Sequence, residues 1–107
     1  MMPDKREVWK FPIVYQDTQV LSLPRGAKIL HFGAQGIGEL SERLWIWAEV
    51  NPDLKEYEDR CFAVVGTGHA FMDTPGYTLA HVGSVLTEGG RFVWHLYEAT
   101  PDQRQGE

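Results

Sequence analysis

Apolar side chains recur at every second position along most of this chain, in short runs broken by Gly, Pro and Asp. That is the period of a half-buried strand and not of a helix. In the first run Trp9, Phe11, Ile13 and Tyr15 share one face, with Lys10, Pro12 and Val14 on the other. Pro12 has no N–H to give a ladder, so this strand is expected at a sheet edge or with a bulge. Asp17-Thr18 turns the chain into a strand from Gln19 to Leu23, and Pro24-Arg25-Gly26 turns it out again. Ala27 to Gln35 follows, with Lys28, Leu30, Phe32 and Ala34 expected on one face and Ile29, His31 and Gly33 on the other. After the connection Gly36-Ile37-Gly38-Glu39-Leu40-Ser41 comes the strongest strand, Arg43 to Asn51, where Leu44, Ile46, Ala48 and Val50 alternate with Trp45, Trp47 and Glu49. Bulky apolar groups on both faces predict either a central strand of a two-layer fold or a strand half in a subunit interface.

Asn51-Pro52 ends that strand, and the acidic stretch Asp53 to Asp59 predicts a solvated loop. Arg60 to Val65 is the next strand, running into Gly66-Thr67-Gly68-His69. Ala70 to Tyr77 reads as an irregular loop, and Thr78 to Thr87 with Arg91 to Glu98 as a hairpin turned by Glu88-Gly89-Gly90. The polar tail 99–107, with Pro101, is expected to fray. The expectation is an all-β chain: about seven strands in a small antiparallel β-sandwich or a partly open barrel. One domain covers 1–107, with its ordered core over 7–98.

Composition narrows the classes. A length of 107 residues supports one core. With 43% hydrophobic and 23% charged residues, the chain is neither disordered nor a coiled coil. Fifteen acidic against ten basic side chains give a formal charge of -5, which disfavours nucleic-acid phosphate and anionic membrane as partners. The single cysteine, Cys61, excludes an internal disulfide and fits a reducing compartment. The opening residues Met1 to Glu7 lack the apolar stretch of a signal peptide, so a cytoplasmic protein is expected.

The sharpest local signal is Gly66-Thr67-Gly68-His69. Two glycines one residue apart at a strand end can turn outward-facing amides around an anion, with the Thr67 hydroxyl and His69 imidazole as further donors. The competing reading is a tight turn that needs positive φ, capped by His69. Four histidines, His31, His69, His81 and His95, with Asp73 and Cys61, raise a metal site, but their spacing does not match close-paired zinc ligands, and none is expected. Nucleophilic pairs, Cys61 with a histidine or Ser84 with His95, have no local motif behind them, so no catalytic residue is assigned. Trp45, Trp47, His95 and Tyr97 form the best stacking surface, and Trp45 and Trp47 equally suit a homo-oligomer interface. The acidic residues Glu49, Asp53, Glu56, Glu58 and Asp59 read as a solvated face, with a phosphate-mimicking track as the sharper alternative.

The segments Trp9-Lys10-Phe11-Pro12-Ile13, Leu23 to Leu30, Gly66-Thr67-Gly68-His69 and Val93-Trp94-His95-Leu96-Tyr97-Glu98 resemble a family of short phage and prophage proteins known as a domain of unknown function. The resemblance spans residues 8–98 and implies a viral accessory protein, without implying a reaction. The reading it supports is a non-catalytic, homo-oligomeric binder without cofactor. Such a protein would sequester a small nucleotide-like or anionic ligand and so antagonise host antiviral defence signalling. Its ligand-binding residues would be Gly66, Thr67, Gly68, His69, Trp94, His95, Tyr97 and His31. The alternative is an inhibitor that grips a host defence protein through the aromatic face or the acidic loop. A small hydrolase is the third.

Overall fold

Alternation decides which side of each strand meets the core, and pairing decides which strands can share one. A computed structural model describes residues 5–36 and 42–102. Its strands are β1 (Glu7–Ile13), β2 (Gln19–Pro24), β3 (Lys28–Gln35), β4 (Arg43–Val50), β5 (Tyr57–Gly66), β6 (Tyr77–Thr87) and β7 (Phe92–Pro101), with one 3₁₀ turn, Glu88–Gly90, between the last two. They form a three-stranded sheet ordered β1-β4-β3 and a four-stranded sheet ordered β2-β5-β7-β6. Every pairing is antiparallel. The two sheets pack as a β-sandwich. β3 and β6 share no ladder, so no barrel closes; they meet where Phe32 lies 3.4 Å from the position a Cβ on Gly83 would take.

The core is the inward half of each alternation. Leu44, Ile46, Ala48 and Val50 of β4 face Phe62 and Val64 of β5 and Leu96 of β7, with Ile13, Leu23 and Phe32 filling the edges. β4 is the central strand of its sheet and β1, with Pro12, an edge strand. At the margin of the core Arg60 donates from Nε and Nη2 to the two carboxylate oxygens of Glu98, at 2.7 and 3.0 Å, and from Nη1 to the Ala27 carbonyl. A guanidinium fork on a carboxylate is among the stronger polar contacts. Here it ties β5, β7 and the β2–β3 turn together, and hydrogen bonding to Glu98 holds Arg60 above its ordinary pKa.

The strand map departs from the sequence reading in three places. In β3 the register shifts between Ile29 and His31. The bulge lets Ile29 join Phe32 and Ala34 on the core side and leaves Leu30 exposed. β5 begins at Tyr57 rather than Arg60, because Tyr57 and Glu58 pair with Pro24 and Leu23 of β2; the end of the acidic stretch is strand and not loop. β7 continues through Ala99 to Pro101, where fraying was expected. The Asp102 carboxylate accepts from the Thr78 hydroxyl at 2.6 Å and its N–H donates to the Gly76 carbonyl at 2.9 Å, which anchors that end. Residues 37–41 of the first long connection and 103–107 of the tail lie outside the described residues.

Ile46 is fully buried at the centre of the core. Ile46→Ala is expected to lower unfolding free energy in urea by about 2–5 kcal/mol, whereas Leu30→Ser on the exposed bulge should stay within about 0.5 kcal/mol.

Candidate functional site

Ladder parity builds the site. β5 and β7 pair from Cys61 opposite Ala99 to Gly66 opposite Trp94, and one step further the Thr67 N–H donates to the Val93 carbonyl at 3.1 Å. The turn Gly66-Thr67-Gly68-His69 therefore sits against the start of the last strand. Gly68 has φ +88, a left-handed conformation that favours glycine. The His69 N–H closes the turn on the Gly66 carbonyl at 3.0 Å. Gly66 is needed for another reason. A Cβ there would lie 3.0 Å from His69 Nδ1 and 3.3 Å from Trp94 Cζ3, space those two rings occupy. The Thr67 and His69 amides are thereby bonded within the chain, which leaves at most two of the turn's four N–H groups for an anion.

From Thr67 a chain of hydrogen bonds crosses the outer face of the four-stranded sheet. Thr67 Oγ1 meets His95 Nε2 at 2.7 Å, His95 Nδ1 meets Ser84 Oγ at 2.7 Å, and Ser84 Oγ meets His81 Nε2 at 3.1 Å. The Ser84–His95 contact, unsupported by any local motif, is thus made across strands. Next to it the Phe71 ring rests on Tyr97 with centroids 5.1 Å apart, and His81 meets the same Tyr97 edge-on at 5.3 Å.

On the other side of Phe71 lies a groove of about 960 Å³. Its floor is Cys61, Ala63, Val65, Leu79 and Ala99, small and medium outward-facing residues that leave a trough. Phe71, Met72 and Tyr77 rim one side; Tyr15 to Gln19, the β1–β2 turn, wall the other; Trp94 and His69 close one end. Tyr15 packs edge-on against Trp94 at 5.1 Å. The turn is held by Gln19, whose side chain accepts from the Val14 N–H and donates to the Val14 carbonyl, both at 2.9 Å. Trp94 is fixed in turn by its indole N–H, which donates to the buried Thr87 hydroxyl at 2.9 Å.

The electrostatics of this groove are neutral to negative. Asp17 is a lining residue, and no Lys or Arg is found among the described lining residues. Burial, then Glu42 and Glu88, raise the Tyr15 phenol above its ordinary pKa of 10.0. Positive charge collects instead at the far end of β1 and β4, where Lys5, Arg6, Arg25 and Lys28 line a hollow of about 390 Å³. Three of these already face carboxylates: Lys5 with Asp53 at 3.8 Å, Arg6 with Glu49 at 3.5 Å and Arg25 with Glu56 at 3.7 Å. Those pairs, with Glu58 bonded to the Gly26 N–H, break up the acidic residues as a phosphate-like track. Among the described residues no cluster of three metal-ligating side chains occurs.

A family model described as a domain of unknown function (DUF7352) matches residues 4–107. The chain belongs to that family. No curated protein and no solved structure matches it.

For this family member, the residues singled out from sequence do not form one surface. Gly66, Thr67, Gly68 and His69 meet the start of β7, but that strand divides the rest: His95 and Tyr97 stand on the outer face of the four-stranded sheet, whereas Trp94, two residues from the buried Leu96, turns to the inner side and packs against the core. His31 does not join them: it lies on the outer face of the other sheet, 5.4 Å from the Trp47 ring. Trp45 and Trp47 also face outward there, so they cannot share a surface with His95 and Tyr97. Each has a cover from its own chain, Lys10 over Trp45 at 4.3 Å and His31 beside Trp47. Sequence reasoning missed Tyr15, Phe71 and Met72. The available signal was the pair of large apolar residues Phe71-Met72 inside a loop otherwise marked by Asp73, Pro75 and Gly76.

Two tests follow from this geometry. A raised phenol pKa favours the neutral form in the fold, so its contribution is complete below pH 10 and is lost as pH climbs through the folded value. The Tyr15 phenol, followed by NMR with Tyr15→Phe as assignment control, is expected to ionise above pH 10.0 and to move back down in Glu88→Gln. Gly68→Ala, forced to adopt positive φ, is expected to cost about 1–2 kcal/mol in urea unfolding.

Proposed function

We propose that the protein is a non-catalytic binding protein and that the groove along β5 is its site. The observation that carries this reading is the combination of a trough of about 960 Å³ with a rim of large apolar side chains left in water, Met72 being 85% exposed. Ligand pockets run from roughly 300 to 1,000 Å³ and are lined mainly by apolar groups with a few placed polar ones. The ligand that suits this lining is neutral, with apolar surface for Phe71, Met72 and Trp94 and hydrogen-bonding atoms for the strand edge. A phosphate-rich nucleotide suits it poorly, because Asp17 and the nearby Glu42 and Glu88 repel an anion and two of the four amides of the glycine turn, those of Thr67 and His69, are already bonded within the chain.

The absence of turnover is part of the proposal. Ser84 lies between two imidazoles, but His95 is oriented by the neutral hydroxyl of Thr67, which stabilises an imidazolium far less than a carboxylate does. We read the Thr67–His95–Ser84–His81 chain as a brace holding the glycine turn to β6 and β7. The wider role we propose, a phage-encoded accessory protein that acts on a host defence component, is supported by the resemblance of the residue 66–69 and 93–98 segments to phage and prophage proteins.

The test is a matched ligand set, adenosine and indole-3-acetamide against ADP and ADP-ribose, followed by NMR shifts of the backbone amides of 61–72. Neutral compounds are expected to perturb Ala63, Val65 and Phe71, with ADP and ADP-ribose weaker by tenfold or more. Tighter binding of the phosphate-bearing members, or perturbation only around Lys5 and Arg25, overturns the reading. Ala63→Phe, which fills the floor, should abolish the response while leaving the fold's spectrum intact.

A further inference from the structure

β2 is shorter than the strand it pairs with, and the difference lies in the groove. β2 begins at Gln19, opposite Phe62, while β5 runs on to Gly66. Residues 63–66 therefore have β7 on one side and, among the described residues, no strand on the other. The direction of their main-chain groups follows from two hydrogen bonds. Thr67 N–H to Val93 O makes 67, and hence 65, 63 and 61, the positions that bond to β7. Arg25 N–H to Glu56 O makes 56, and hence 58, 60 and 62, the positions that bond to β2. In an antiparallel ladder a residue's N–H and C=O point to the same neighbour and alternate along the strand. Val64 and Gly66 thus aim at the open side.

The Gly66 carbonyl is taken by the His69 N–H. The Val64 N–H, the Val64 carbonyl and the Gly66 N–H have no partner among the described residues. Both residues are buried. Unpaired main-chain donors and acceptors inside a half-enclosed groove are costly, and a ligand that bonds to them recovers that cost.

We propose that this groove binds an extended peptide segment of another protein, which adds as a short strand beside Val64 and Gly66. The inference rests on the reading of the groove as the binding site and names its ligand class. Strand addition draws affinity from the main chain and selectivity from pockets for alternate side chains. The geometry supplies both. Side chains on one face of the added strand reach the Cys61, Ala63 and Val65 trough under Phe71 and Met72; those on the other face Tyr15 and Trp94. The slot is about three residues long, near 10 Å at roughly 3.3 Å per residue. The β1–β2 turn walls the side of the groove that faces the slot, so the partner that suits it is a free chain end or an extended linker rather than the flat edge of a second folded copy. The lack of lysine and arginine in the lining agrees with a neutral main chain as ligand.

Amide hydrogen exchange tests this. In the free protein Val64 and Gly66 are expected to exchange at least tenfold faster than Ala63 and Val65; equal protection at all four means the edge is already paired and overturns the proposal. The probe is a set of end-blocked hexapeptides that alternate valine or phenylalanine with threonine. Binding peptides should slow exchange at Val64 and Gly66 by tenfold or more, and their N-methylated counterparts should not. If adenosine or indole-3-acetamide shifts the groove while no peptide protects those two amides, the peptide reading fails and the binding groove stands. If neither class binds, both fall. A dimer in sedimentation with Val64 and Gly66 protected assigns the slot to a second copy and also overturns the proposal.

Discussion

The register of β5 against β7 is the constraint on which the rest depends. Gly66 opposite Trp94 places the glycine turn against the last strand, brings Thr67 to within 2.7 Å of His95, and sends the main-chain groups of Val64 and Gly66 away from β7. A slip of one residue would turn every one of these around, since side chains and hydrogen bonds alternate with period two. Phe62, Val64 and Leu96 in the core hold that register from within. The Arg60–Glu98 fork holds it at the far end of the same pair of strands.

The groove follows from an inequality in length. β5 spans ten residues and β2 six, and the chain between β1 and β2 is folded back by Gln19 rather than continuing the ladder. The result is an open strand edge next to a trough of small side chains, roofed by an apolar loop. Charge then decides what such a place can hold. Glu42 and Glu88 stand near Tyr15, while Lys5, Arg6, Arg25 and Lys28 line the hollow at the opposite end of β1 and β4.

Much of the fold was legible in the sequence because it depends on local rules. Pro12 marked an edge strand, the double alternation of Leu44 to Val50 marked a central one, and Glu88-Gly89-Gly90 marked the last turn. The bulge at Leu30 was not legible: one extra residue inverts the face of Ile29, and its cause is the pairing with β4. Nor was the end of β7, which is set by Asp102 meeting Thr78 on the neighbouring strand. At the site, the proximity of the glycine turn to Trp94 and His95 was anticipated from residue types. The split of the aromatic residues between two faces, and the unpaired stretch of β5, depend on strand order and strand length, which periodicity does not encode.

The most direct measurement is the set of cross-strand proton NOEs along β5. Non-hydrogen-bonded antiparallel pairs bring their Cα atoms closest, to about 4.5 Å. Strong Hα contacts between Gly66 and Trp94 and between Val64 and Leu96, with no strand contact on the other side of Val64, are the expected result. An Hα contact between Val65 and Trp94, or a neighbouring strand found beside Val64 in the free protein, would contradict it.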